Sequence, residues 1–155
     1  MTDGTIVVIM GSEKDMDFTE PALDFIENFG VSYDVRVASA HKTPEKVMDI
    51  LKKYEESKKI VYLTVAGRSN ALSGFVDANT GFPVIACPPY SSKYGGADVF
   101  SSLRMPSGVS PMVVLDPKNA ALACLKILSI GDPELRMKIS DYKEGVREEI
   151  RKAEP

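Results

Sequence analysis

The chain predicts an α/β fold: a three-layer αβα sandwich around a five-stranded parallel sheet, with a long C-terminal helix. Three observations predict it. Short apolar runs such as residues 5–10 and 60–66 are continuous rather than alternating, as strands buried on both faces should be. Stretches with helical period separate these runs. Small polar turns mark each switch from one to the other, Gly11-Ser12 and Gly67-Arg68-Ser69-Asn70 among them. Alternation of buried strand and helix implies a parallel sheet with helices on both faces.

Each element follows in order. Thr5-Ile6-Val7-Val8-Ile9-Met10 is the first strand, broken by Gly11-Ser12. Phe18, Ala22, Phe25, Ile26 and Phe29 then form one helical stripe, closed by Gly30 as a C-terminal cap. Pro21 interrupts that pattern and predicts a kink or a late start. Residues 33–38 are β-rich and alternating, a second strand. Thr43-Pro44 is a good N-cap and first-turn pair, and Val47, Ile50, Leu51 and Tyr54 line the helix behind it. Residues 60–66 are the third strand, followed by a turn and a short helix over 71–79. Residues 83–87 are the fourth strand, ended by Pro88-Pro89, and 112–115 the fifth. Residues 119–129 are helical and apolar nearly all round. A single amphipathic helix over 133–152 carries Leu135, Ile139, Tyr142, Val146 and Ile150 on its stripe and is expected to pack on a neighbouring subunit. The layout resembles the flavodoxin-like arrangement.

The length fits one domain, so residues 1–155 are read as a single unit with a sizeable core. A net charge of −3 gives no footprint for nucleic acid, although local loops still admit a small anion. Cys87 and Cys124 lie far apart, form no CxxC pattern and, with one histidine, cannot build a typical zinc site. Neither a metal nor a cofactor is expected. Met1-Thr2-Asp3-Gly4 lacks the basic region of a secretory leader, and no apolar run reaches the ~18–20 residues of a membrane span. A reducing, cytoplasmic compartment is the expectation. Residues 69–115 hold only Asp77, Lys93, Asp98 and Arg104 as charges. Buried strand plus small-residue turns is one explanation; a large subunit interface is the other.

Chemistry centres on the one histidine, His41, because only imidazole titrates near neutral pH without perturbation. It lies in Ser39-Ala40-His41-Lys42-Thr43-Pro44, between a strand and a helix. A general acid/base beside an anion clamp is one reading, and local capping or packing the other. Gly11-Ser12-Glu13-Lys14-Asp15 offers close backbone approach, a hydroxyl, an ammonium and a carboxylate, fit for a phosphate and for ribose hydroxyls. A Ser/Asp cap with a solvent-facing Lys14 is the simpler alternative. The pattern is not a Walker A loop. Gly67-Arg68-Ser69-Asn70-Ala71 departs from the G-x-S-x-G elbow at its last position, and His41 precedes Ser69, against the order of that hydrolase fold. The turn suits a carboxylate or CO2 pocket better than a nucleophile. Arg104-Met105-Pro106-Ser107-Gly108 is either an ordinary turn or a flap over a ligand. The loops after the first three strands all leave a parallel sheet at its carboxyl edge, where such folds bind ligands.

In their order along the chain, Gly11-Ser12 with Asp15, Ser39-Ala40-His41-Lys42, Ala66-Gly67-Arg68-Ser69-Asn70, and Met105-Pro106-Ser107-Gly108 with Asn119-Ala120-Ala121 resemble the PurE family. These are the aminoimidazole ribonucleotide (AIR) carboxylases and mutases of purine biosynthesis. The match spans nearly the whole chain. Class I mutases, which rearrange the carbamate of AIR, typically carry Arg after the histidine and a Gly-Gly-Ala-Ala-His-Leu loop. Here Lys42 and Gly67-Arg68-Ser69-Asn70-Ala71-Leu72 stand in those places, which resembles class II, the direct and reversible ATP-independent carboxylation of AIR by CO2. Lys14 stands where the family often carries Ser. The resemblance implies His41 as general acid/base. It implies Ser12, Asp15 and Lys42 at the ribose phosphate end, with the Lys14 ammonium in place of a hydroxyl there and Gly11 in the substrate site. Ser39, Gly67, Arg68, Ser69 and Asn70 would surround the carboxyl group, with Ala40, Met105 and Pro106 also in the substrate site. A homo-octamer with shared active sites is implied as well. A class I-type mutase, or a flavodoxin-like nucleotide-binding module without catalysis, is the alternative.

Overall fold

Five strands, β1 (Thr5–Met10), β2 (Ser32–Val37), β3 (Ile60–Val65), β4 (Val84–Ala86) and β5 (Met112–Val113), form one parallel sheet in the order β2-β1-β3-β4-β5. The structure is a computed structural model that describes residues 4–153. Met1, Thr2 and Asp3, on which the leader-free reading of the N-terminus rests, lie outside the described residues.

β1 and β3 occupy the centre because their sequences allow no solvent-facing side. All of β3 is buried, as is β1 after Thr5. The pleat divides them between two cores. Ile6, Val8, Met10, Val61, Leu63 and Val65 face α1 (Met16–Asn28), α5 (Pro117–Leu128) and α6 (Pro133–Lys152). Val7, Ile9 and Tyr62 face α2 (Pro44–Tyr54) and α3 (Ala71–Ala78). Burying each such aliphatic side chain contributes about 1.5–3 kcal/mol, so the two central strands anchor both layers. The αβα sandwich is the predicted one. Among the described residues no helix is long and apolar enough to cross a membrane.

Several boundaries move, each for a local reason. α1 begins at Met16, so Pro21 neither delays nor replaces the helix start. Pro21 lies inside it and leaves one backbone bond undonated. Gly30 closes that helix at φ 69, where its N–H reaches the Glu27 carbonyl at 2.8 Å. β4 is short because Pro83 lacks an N–H and Pro88 follows it, yet Tyr62 N–H to Pro83 O and Cys87 N–H to Thr64 O extend the ladder by single bonds. β5 ends at Val113 rather than Leu115. Asp116 then starts α5, accepting the Asn119 N–H at 2.8 Å, two residues earlier than the apolar pattern begins.

The inner part of the C-terminal helix packs on its own chain. Leu135 and Ile139 are buried in the chain's own core, and the Tyr142 ring meets Phe25 and Phe29 of α1 at 5.1 and 5.8 Å. Tyr142, Val146 and Ile150 of the stripe remain exposed. The charge-poor middle divides similarly. Leu72, Val76 and β4 are buried, whereas Tyr90, Tyr94, Phe100, Leu103, Met112 and Leu115 are exposed.

Candidate active site

The strand order reverses between β1 and β3, and the loops that follow β1, β2 and β3 leave the sheet there, at its carboxyl edge. Gly11 N–H donates to Val65 O at 2.8 Å, which holds the first loop against the third. Ser12 Oγ accepts the Lys14 N–H at 3.3 Å and starts a short 3₁₀ turn, Glu13–Asp15. Burial pushes the Asp15 carboxyl above its ordinary value, against a backbone hydrogen bond from Ser12 and the opposing charge of Arg68. The first and third loops thus lie close enough for Asp15 and Arg68 to feel each other's charge.

The 39–43 loop folds on itself. Thr43 starts α2 with Pro44 in the first turn, but its side chain does not cap the helix. Thr43 Oγ1 instead accepts the Ser39 N–H at 3.0 Å and donates back to Ser39 O at 3.3 Å. Ser39 Oγ accepts the Lys42 N–H at 3.3 Å. His41 and Lys42 project from this knot and are exposed.

Arg68 has φ 58, the left-handed region. A non-glycine there typically costs about 1–2 kcal/mol, so the surrounding structure must over-determine it. Gly67 beside it is required by space. A Cβ at that position would lie 2.4 Å from the Pro89 carbonyl oxygen. The 67–70 turn is thus pressed against the loop that follows β4. In that loop the Asp98 carboxylate takes the Ser91 N–H at 3.1 and 3.0 Å.

These segments enclose a cleft of about 850 Å³, within the usual range for a small-molecule site. Gly11, Ser12, Lys14, Asp15, Ser39, Ala40, His41, Lys42, Gly67, Arg68 and Ser69 all line it. Lys14, Lys42 and Arg68 face only Asp15 and Asp98, so the cleft is locally cationic on a chain of net charge −3. Three expected residues lie elsewhere. Asn70 is 4% exposed and turned inward, its amide held by Ser73 and Ser102. Met105 packs over Gly74, where an added Cβ would come within 2.9 Å of its sulfur. Pro106 is exposed and is not among the lining residues.

Residues 5–149 match the family model described as AIR carboxylase. The chain belongs to that family. It is 57% identical over 148 residues to a phosphoribosylaminoimidazole carboxylase of Archaeoglobus fulgidus, covering 96% of this chain and 82% of the relative. It is 40% identical over 148 residues to an N5-carboxyaminoimidazole ribonucleotide mutase of Methanocaldococcus jannaschii, covering 94% and 92%. The crystal structure of Treponema denticola PurE superposes with a TM-score of 0.92 at 47% identity, over 95% of this chain and 94% of that one.

Within this AIR carboxylase fold, the wall made by Pro89, Tyr90, Ser91, Ser92 and Asp98 was not legible as part of the cleft. Pro88-Pro89 reads only as a strand stop. The usable signal was Asp98, one of four charges in a charge-poor stretch, poised for the backbone it holds. Cys87 ends β4 near the same edge, but burial pushes its thiol up to about 12, so it offers no thiolate.

Proposed function

We propose that this cleft carboxylates AIR directly with CO2, reversibly and without ATP, to give 4-carboxy-AIR. One observation carries the reading: in a chain of the AIR carboxylase family, the single histidine and three cations converge on one cleft at the sheet's switch point. Lys42, Lys14, Ser12 and Asp15 suit the ribose phosphate end. Ser39 and the 67–69 turn suit the group whose carboxylate charge grows. Asn70 contributes by holding the turn, since its side chain is engaged inward and its N–H is taken by Ser101 Oγ.

The chemistry asks for little more. The AIR ring carbon is an enamine nucleophile, and its electron pair forms the new C–C bond to CO2. That carbon then carries both a proton and the carboxylate. Removal of the proton returns the electron pair to the ring and restores aromaticity. An imidazole of reference pKa ~6.5 suits this transfer in both directions. His41 is exposed in the cleft, and among the described residues neither ring nitrogen has a hydrogen-bond partner, so both are open to a ligand. In this reading Lys42, and the absence of a histidine from residues 67–72, favour CO2 over the carbamate as carboxyl source.

The mutase among the relatives defines the rival, and an assay separates them. AIR with CO2 or bicarbonate, without ATP, gives 4-carboxy-AIR at a rate that tracks dissolved CO2. Turnover of the carbamate alone would replace direct carboxylation by a mutase reaction. Binding of the nucleotide with neither turnover would leave a non-catalytic module. The exposed Tyr94, Phe100, Leu103, Met112 and Leu115 fit self-association in the cytoplasm as a homo-octamer, and sedimentation equilibrium returning a monomer would remove that part.

A further inference from the structure

The unfavourable backbone of Arg68 is held from a distant part of the chain. α4 (Phe100–Leu103) is a single turn whose inner side carries two serines. Ser101 Oγ accepts the Asn70 N–H at 3.0 Å, and its one proton lies between the carbonyls of Arg68 at 3.0 Å and Asp98 at 2.8 Å. One hydroxyl therefore grips the turn on both sides of Ser69. It also joins that turn to Asp98, which holds Ser91 in the opposite wall.

A second set of bonds runs inward from the same turn. Asn70 Nδ2 donates to Ser73 Oγ at 2.8 Å and Ser102 Oγ at 2.9 Å, while Asn70 Oδ1 accepts the Ser73 N–H at 3.1 Å. The Ser73 hydroxyl donates to Asn70 Oδ1 at 3.0 Å and shares a hydrogen bond of 2.8 Å with the Thr64 hydroxyl, which lies 3.2 Å from Ile85 O. Thr64, Ser73, Asn70 and Ser102 are 0%, 0%, 4% and 2% exposed. No buried side-chain polar atom among the described residues lacks a partner. This chain of bonds is fully buried and ends at the turn.

We propose that Ser101 and Asn70 are positioning residues that lock the Arg68-Ser69 turn and the Ser91 wall into one cleft geometry, without touching substrate. This rests on the reading of the cleft as the site of AIR carboxylation. Phosphate-end contacts come from the other two loops, so loosening the turn acts on the reacting group rather than on AIR binding. Misplacement of such donors by about 1 Å costs on the order of 10²-fold in rate.

The test compares Ser101→Ala, Ser101→Thr and Ser102→Ala by steady-state kinetics and by amide hydrogen exchange. Ser101→Ala should lower kcat by about 10–100-fold while KM for AIR stays within about threefold. Ser101→Thr keeps the hydroxyl and should recover kcat to within about fivefold of wild type. Exchange at residues 69–71 should quicken by about tenfold in Ser101→Ala and stay unchanged in β1. Ser102→Ala removes one of two acceptors of the Asn70 amide and should show the same pattern more weakly. If Ser101→Ala does not fold, Ser101→Thr and Ser102→Ala carry the same readouts. The proposal is overturned by unchanged exchange at 69–71, by a change in KM alone, or by Ser101→Thr behaving no better than Ser101→Ala. A wild-type protein that does not turn over AIR would end the functional reading, and the exchange arm would still judge the clasp.

Discussion

The 39–43 loop is tied by its own residues: Ser39, Lys42 and Thr43 bond one another across at most four positions. The 67–70 turn is tied by Ser101 and Ser102, 31 to 33 positions away, and pressed by Pro89. Both end in the same cleft, yet they do different work. A loop that closes on local bonds leaves its side chains exposed and adaptable, as His41 and Lys42 are. A turn held from remote elements is preorganised, and its strained Arg68 persists only because those elements agree. Substitution in the first should act through lost chemistry; substitution in the second should act through lost geometry.

The largest expected effect breaks the first region. His41→Asn keeps a planar, polar side chain and removes the titrating base. Turnover should fall by about 10²–10⁴-fold with the fold and most AIR affinity retained. Steady-state kinetics with isothermal titration of AIR reads both. Near-normal kcat would remove His41 from proton transfer and leave the loop with a binding role only.

The second region should break without touching any polar group. Gly67→Ala places a methyl 2.4 Å from the Pro89 carbonyl oxygen, a backbone atom, so one of the two segments must move. Overpacking of this kind costs about 1–3 kcal/mol, and displacement of the wall should lower kcat/KM by about tenfold or more. Urea unfolding and kinetics on the same preparation measure the pair. Wild-type values of both would show that the close approach is not what fixes the cleft.

The same contrast explains what the sequence revealed. β1 and β3 declare themselves by unbroken apolar runs, and the first three loops follow from where those strands end. The 39–43 loop was legible because its order, residues and bonds are all local. The inward turn of Asn70 is not legible, because its polarity alone does not reveal a buried partner. Its partners Ser73 and Ser102 are ordinary serines whose meeting depends on α4 reaching back over the turn. Tyr90, Ser91 and Asp98 escaped for the same reason. Long-range contacts in a loop without period leave no mark in the order of residues.

The smallest effect sharpens the comparison by holding the cleft constant. Asp34 of β2 takes hydrogen bonds from Tyr54 and Lys53, at the end of α2, and from Arg36. It therefore clamps the two elements that flank the 39–43 loop, but near the opposite edge of the sheet. Burial pushes its carboxyl up, and the three donors outweigh that and hold it at about 2, against 3.8 ordinarily. A depressed carboxyl stabilises the folded chain above about pH 4, and that increment is lost as pH falls through about 2. Asp34→Asn should cost on the order of 1 kcal/mol at neutral pH and flatten the decline in stability between about pH 4 and pH 2. Its kcat should stay within about twofold of wild type, because the 39–43 loop needs only its own bonds. Urea unfolding at a series of pH values reads the first effect, and the AIR assay the second. An equal acid slope in both proteins would deny the clamp, whereas a large fall in kcat would show that the histidine loop, too, is held from afar.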